Sequence, residues 1–267
     1  MTVLVTGATG NIGRMVVTEL HRLGADDVRA LTVDPGRAAL PAGISVFRGF
    51  LGRPRSVAPA LEGVDVMYLA PHMPTVTEVC RLAARAGVRR IVDLAGPRGG
   101  IWQPIEDAVE AGGIPWTHLE PGEFMTNAAL WAAQIRAGDI IRDAYPDAVN
   151  APIAPQDVAA VAAHVMMNPG HEGKAYPLTG PTALSRRQMI GLLGEALGRP
   201  LTYVELPHDQ ALPVFAEVQG AAASWYLDGL AHQAAHPGTT LHPSSEITGR
   251  PATTYLSWAR THTDLFQ

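Results

Sequence analysis

Eight residues near the start of the chain, Thr6-Gly7-Ala8-Thr9-Gly10-Asn11-Ile12-Gly13, constrain the fold more than any other stretch. They follow an apolar, strand-like run, Thr2 to Thr6, and open a helical pattern in which Met15, Val16, Leu20 and Leu23 recur on one face, with Gly24 as the stop. Three glycines at G-x-x-G-x-x-G spacing between a strand and a helix have separate tasks. One turns the chain tightly, one lets backbone approach a ligand, and one lets the helix pack on the strand. The helix start then offers free N–H groups and a partial positive charge to an anion. Read this way, Gly7, Thr9, Gly10, Asn11, Ile12 and Gly13 form the cradle for a dinucleotide pyrophosphate.

The pattern of short apolar runs alternating with helical segments continues. Val28–Thr32, Ser45–Phe47, Val64–Leu69, Arg90–Leu94 and Pro115–Leu119 read as strands, with helices over Val76–Ala86 and Ile105–Ala111. After Pro121 helices predominate: Phe124–Ala137, Gln156–Met167, Arg186–Leu197 and one ending near Thr261, with strand-like pieces at Ala175–Thr179 and Thr202–Leu206. The expected fold is α/β, a Rossmann-type doubly wound parallel sheet over 1–120, with a smaller, mostly helical substrate lobe over 121–267, in one continuous globular unit.

Composition narrows the function classes. A formal charge of −5 argues against a nucleic-acid footprint. The longest small-apolar run, Val158 to Met167, is too short for a bilayer. Strand-like sequence from Thr2 leaves no room for a signal peptide, and a single cysteine, Cys80, fits a reducing compartment, so a cytoplasmic protein is expected. No metal site is expected: the histidines are scattered, and His232 and His236 have no acid ligand nearby. The expected partner is a small-molecule substrate, with no nucleic acid and no membrane, and the chain is read as a monomer or homodimer.

Past the second strand, Asp34 stands about twenty residues beyond the turn, where a carboxylate reads the adenosine ribose. The alternative, equally weighted, is that it caps the turn into Pro35-Gly36. Catalytic candidates are sought at the carboxyl ends of strands. His72 follows the fourth strand and suits acid–base work near neutrality. Glu120 and Glu123 flank the end of the sixth, as a pair facing a cleft or as solvated loop acids. His118 alternates with Trp116 and Glu120 on one strand face, either lining the cleft or packing. Glu106 and Asp107 are explained by the dipole of the helix they open.

From VLVTGATGNIG through AGVRRIV, IEDAVEAGGIPWTHLEPGEFMTN, APIAPQDVAAVAAHV and GKAYPLTGPTALS to TGRPATTYLSWARTH, the chain resembles the NmrA-like atypical short-chain dehydrogenase/reductases almost end to end. The resemblance implies an NAD(P)(H)-binding domain, with Phe50, Leu51, Ala70 and Pro71 joining the cofactor contacts, and reductase or redox-sensing work on the C-terminal lobe. Several positions depart from the family. Val33 replaces the arginine that usually grips the NADP 2′-phosphate, so NADH is expected to be slightly favoured over NADPH. Gly49-Phe50-Leu51 replaces a G-D-L triplet, and Leu119-Glu120-Pro121 replaces L-R-P. Lys174 is the only lysine and Gly170 stands four residues before it, so the usual tyrosine–lysine pair is not encoded. The leading expectation is an NAD(P)H-dependent oxidoreductase of secondary metabolism acting on a quinone- or enone-like compound. The alternatives are a cofactor-free isomerase or cyclase and a non-catalytic NAD(P)-sensing regulator.

Overall fold

The structure, a computed structural model, describes residues 1–267. In chain order the first elements are β1 (Thr2–Val5), α1 (Asn11–Arg22), β2 (Asp27–Thr32), β3 (Ser45–Arg48), α2 (Ala58–Leu61), β4 (Val66–Leu69), α3 (Val76–Arg85), β5 (Arg90–Leu94), α4 (Gln103–Ala111) and β6 (Trp116–Pro121). Then follow α5 (Ala132–Ala137), β7 (Ile140–Asp143), β8 (Val149–Asn150), α6 (Pro155–Met167), β9 (Lys174–Thr179), β10 (Leu184–Ser185), α7 (Arg186–Leu197) and β11 (Thr202–Glu205). The last are α8 (His208–Gln219), α9 (Ala223–Ala235), β12 (His242–Pro243), α10 (Ser244–Thr248) and α11 (Tyr255–Thr261). The chain divides into two compact units.

The first unit holds residues 1–122, 155–178 and 244–250. Its strands run β9-β6-β5-β4-β1-β2-β3, all parallel, so the order reverses between β1 and β4. That reversal opens a crevice at the carboxyl ends of the strands, the place where open α/β sheets bind ligands. The Thr6 hydroxyl holds the crevice together, donating to the Tyr68 carbonyl at 3.0 Å and accepting from the Ala70 N–H at 2.8 Å. One sheet face is sealed by an apolar core of Leu4, Met67, Leu69, Ile91, Ile105 and Val109, among others. On the other, α6 packs against α1 and the sheet. Its run of Val158 to Ala163 is buried all round, as a core helix must be, and the alanines let it lie close to α1.

This corrects the expected domain boundary. Residue 120 is where the chain first leaves the Rossmann unit, but 121–267 is not one lobe, because α6, β9 and α10 return to complete the sheet and its covering layer. The cause is burial: a helix as apolar as α6 finds its partner in α1, not in solvent. The single helix expected over Phe124–Ala137 is a 3-10 stretch, Met125–Trp131, followed by α5.

The second unit holds 123–154, 179–243 and 251–267. Here β7 pairs in parallel with β11, and β8 antiparallel with β10. Met189, Ile190 and Leu193 of α7 pack on Tyr255, Trp258 and Phe266. Beside them Asp143 and Arg186, each 1% exposed, form a buried ion pair with Nε to Oδ2 at 2.8 Å. The Trp131 indole N–H and the Ala144 N–H donate to the same carboxylate, both at 2.8 Å, and the guanidinium lies 4.8 Å from the Trp131 ring. Nearly every lone pair is answered, so removing one partner strands a buried charge. Asp143→Ala is expected to cost about 3–5 kcal/mol by urea unfolding, while the double replacement Asp143→Leu/Arg186→Met costs much less; equal losses in the two would show that the charges are not the cause.

Candidate functional site

Gly7 sits at φ +59°, in the left-handed region, and a Cβ there would come within 2.9 Å of the Ala70 Cβ. At Gly13 a Cβ would lie 2.2 Å from the Gly7 carbonyl oxygen, so only glycine lets α1 press onto the turn that precedes it. Gly10 occupies the N-cap of α1 without a side chain to cap it, and the first turn holds no acidic residue. The first N–H groups of the helix therefore lack acceptors within the chain and point where an anion would sit. The Thr9 hydroxyl meets that of Thr32 at 2.9 Å, fixing the turn to the end of β2. Beside this turn opens a cavity of about 270 Å³.

Of the residues expected at the cofactor, Gly7, Thr9, Phe50, Leu51, Ala70 and Pro71 all line that cavity, and Gly10, Asn11, Ile12 and Gly13 form the helix start beside it. Leu51 is at the same time a member of the core. Asp34 does not line the cavity; its Oδ1 accepts from the Gly36 N–H at 3.1 Å and caps the turn after β2. The wall at this point is Val33, 60% exposed. Glycine cradle, uncapped helix start and adjoining cavity together fit a dinucleotide.

His72 lines the same cavity, its ring edge-on to Phe50 at 5.4 Å. Its Nδ1 is 2.7 Å from the Thr75 hydroxyl, which itself donates to the Leu51 carbonyl at 2.8 Å. The Thr75 hydrogen is thus spent, so His72 Nδ1 is the donor in that bond. The structure puts His72 in the wall of that cavity with Val33 and Phe50. The two expected acids also separate. Glu123 is engaged within the second unit, accepting from the Tyr226 hydroxyl at 2.7 Å and the Asn150 amide at 3.3 Å. Glu120, 5% exposed, faces Glu106 in the first unit. Neither reading of these acids, a Glu120–Glu123 pair or solvated loop acids, describes Glu120, which is buried beside Glu106.

That second pairing belongs to a buried cluster which the sequence reading missed. Asp93 on β5 is in register with His118 on β6, so both side chains leave the same sheet face. Both are fully buried, with His118 Nδ1 2.6 Å from Asp93 Oδ1. His118 Nε2 lies 3.4 Å from Glu110, and its ring stacks on Trp116 at 3.9 Å. Glu106 is fully buried on the inward face of α4 beside Ile105 and Val109. Arg98, 56% exposed, reaches Glu106 at 3.4 Å and Glu110 at 2.6 Å. Burial, and then the Glu120 charge beside it, push the Glu106 carboxyl up to about 7 against the pull of His118 and Arg98. Burial likewise raises Asp93. It works against the His118 imidazolium too, but the bond and charge of Asp93, with Glu106 and Glu110 behind, outweigh it and raise that group as well. Glu106 does stand in the first turn of α4, where the dipole favours an acid, but the dipole does not account for its carboxyl being fully buried beside Glu120 and His118 of β6. The legible signal was its place one residue from Ile105 and three from Val109 on the apolar face.

Residues 7–97 match a family described as NAD(P)H-binding. The chain is 36% identical to the (4-alkanoyl-5-oxo-2,5-dihydrofuran-3-yl)methyl phosphate reductase of Streptomyces griseus, over 99% of both chains. It is 31% identical to the NAD(P)H azoreductase of Xenophilus azovorans, again over 99% of each. Among solved structures, the NADPH-dependent quinone oxidoreductase of Escherichia coli complexed with NADPH superposes with a TM-score of 0.85 at 26% identity, covering 98% of this chain and 100% of that one.

The Glu106 carboxyl makes stability pH-dependent. Its folded value lies above the ordinary 4.5, so between those two values the folded state holds more protons than the unfolded one, and stability falls as pH rises through that window. Glu106→Gln is expected to match the parent near pH 5 and to exceed it near pH 8 by ~2 kcal/mol, allowing for screening at the cluster's rim. Urea unfolding at the two pH values decides it, and a difference that does not change with pH would count against the assignment.

Proposed function

Because the chain belongs to the NmrA-like atypical short-chain dehydrogenase/reductases, an NAD(P)H-binding family, we propose that this NAD(P)H-dependent oxidoreductase reduces a small conjugated acceptor of the quinone or enone class. The observation that carries the reading is the uncapped start of α1 over the glycine cradle, opening on the cavity between Thr9, Val33 and Phe50. The bound cofactor supplies a hydride. The chain holds the pyrophosphate on the N–H groups of Asn11, Ile12 and Gly13, and seats the adenosine between Phe50, His72 and Pro71. In this reading His72 is a cofactor contact, not the acid.

Support for the acceptor class comes from the relatives. The compound named for the Streptomyces enzyme carries an oxo-dihydrofuran ring with an alkanoyl group, and the Escherichia coli protein is named a quinone oxidoreductase. In both names a carbonyl sits where it can conjugate and accept hydride. Such acceptors ask the protein chiefly for positioning, which suits a chain whose only lysine, Lys174, stands at the exposed start of β9. The cavity beside the uncapped helix favours this reading over cofactor-free chemistry, which would leave those N–H groups without a task.

We infer further that NADH is held at least as tightly as NADPH. Val33 offers no charge to a 2′-phosphate, and Nη1 of Arg14 on the first turns of α1 is committed to the Ala38 and Ala39 carbonyls at 2.9 and 2.8 Å. Fluorescence titration with each dinucleotide, followed by turnover with menadione, an azo dye and a conjugated butenolide, tests both points. Val33→Arg is expected to raise NADPH affinity about tenfold, the worth of one charge-assisted hydrogen bond, and to leave NADH unchanged. Binding of neither dinucleotide would defeat the proposal, and a strong native preference for NADPH would mean that Arg37 or Arg14 rearranges to serve the phosphate.

A further inference from the structure

Hydride reduction of a conjugated carbonyl consumes a proton, and of the residues around the cofactor cavity His72 spends its Nδ1 hydrogen on Thr75, while the usual tyrosine–lysine pair is not encoded. The buried cluster between α4, β5 and β6 has the missing property. Asp93 is the fourth residue of β5 and Glu120 the fifth of β6, so both lie near the carboxyl ends of their strands, on the edge where this fold binds ligands. The charges there do not balance. Glu106 is faced by Glu120 and His118 from β6, Asp93 from β5, Arg98 from the loop before α4, and Glu110 from its own helix. Four carboxyls thus stand against two cations. Cys80 on α3 and Tyr68 on β4 add no charge at neutral pH, since burial, and then Asp93, push the thiol up to about 12 and raise the phenol further. Both Glu106 oxygens, Glu120 Oε1 and Asp93 Oδ2 are buried without a hydrogen bond, with Arg98 Nε 3.4 Å from Glu106 Oε2. A buried carboxylate without donors is costly, and a proton shared between facing carboxyls relieves the cost.

We propose that Glu106 and Glu120 share one exchangeable proton and act as the reservoir that supplies the proton of the reduction, refilled from solvent through Glu110, His118 and Asp93. This inference rests on the reductase reading above. In the reaction the acceptor carbon takes a hydride, with its two electrons, from the dihydronicotinamide, whose C4–H bond breaks. The acceptor oxygen takes the proton from Glu120, the 5% exposed member of the pair, as its O–H bond forms, and Glu106 holds the shared proton behind it. The acceptor is reduced by two electrons and the nicotinamide oxidised by two. The pair is left one charge more negative and regains a proton from water. The refilling route runs from Glu110, 37% exposed and 3.4 Å from His118 Nε2, through His118 Nδ1, 2.6 Å from Asp93, to the neighbourhood of Glu120, whose charge acts on Asp93. Glu120 is the proposed donor and Glu106 the residue that shares its proton; Asp93 and His118 do not touch the acceptor and serve the refilling.

The reservoir is tested without cofactor by infrared difference spectra of the free protein between pH 6 and 8 in H₂O and D₂O. One protonated-carboxyl band, sensitive to D₂O, is expected to vanish as pH rises through neutrality and to be missing in Glu106→Gln. Absence of the band in the wild type, or its survival in the variant, overturns the reservoir. The donor role is tested by single-turnover reduction of menadione by NADPH. The wild-type rate is expected to fall as pH rises through neutrality, while Glu106→Gln is at least tenfold slower near pH 6.5 and flat with pH, its NADPH affinity within twofold of wild type. A variant that keeps the wild-type pH profile overturns the donor role, since a structural defect lowers the rate without moving the profile. Where Glu106→Gln fails to fold, Glu120→Gln carries the same expectations. A wild type that binds NADPH but reduces neither menadione nor a conjugated butenolide overturns the acceptor class proposed above and the donor role with it, whereas the infrared band is decided independently.

Discussion

The contact on which the first unit depends is that of Gly13 with the Gly7 carbonyl, where no side chain fits. By bringing the start of α1 down onto the turn after β1, it aims the helix N–H groups into the crevice where the strand order reverses. The rest follows geometrically. With α1 pressed to the sheet, α6 packs beside it through small side chains, and the chain must return to the first unit to bring α6 and β9 there. The second unit is thus built from excursions, and its own core closes around Trp131, Trp258 and the Arg186–Asp143 pair.

Features set by local chemistry were legible before the structure. β1, β2 and β5 declare themselves through short buried apolar runs, and α1 and α3 through one-faced periodicity, because each needs only its own residues to state its burial. The helix Gln156–Met167 was equally plain, but not its destination, since an all-apolar helix says that it is buried without saying against what. The 3-10 winding of Met125–Trp131 was lost for the same reason: an apolar run does not distinguish the two helices.

The candidate site divides along this line. The glycine turn was readable because spacing, strand and helix are contiguous. Leu51 and Phe50 came from family resemblance, and both do line the cavity. Asp34 was undecided, and the nearby Gly36 N–H takes its oxygen. Glu106 was misread because a charge in the first turn of a helix has a sufficient local explanation. Its meeting with Glu120, Asp93 and His118 depends on which strands are neighbours, and that is a property of the whole sheet.

The two buried polar clusters show why one is structural and the other titratable. At Asp143 a single carboxylate meets a guanidinium, an indole N–H and a backbone N–H, and the Arg186 guanidinium is held charged, its value raised by Asp143 despite burial. Nothing there has reason to change protonation in the physiological range. At Glu106 the donors run short, and neutrality is approached by holding protons instead. The resemblance implies arginine where Glu120 stands. An arginine at that position would leave Asp93, Glu106 and Glu110 facing His118, Arg98 and itself, three charges against three. Exchange of that one residue for glutamate moves the balance by two charges, and no side chain nearby compensates. A buried site with that deficit either binds a cation or binds protons. Protonation of its carboxyls is the response on which the proposed reservoir rests.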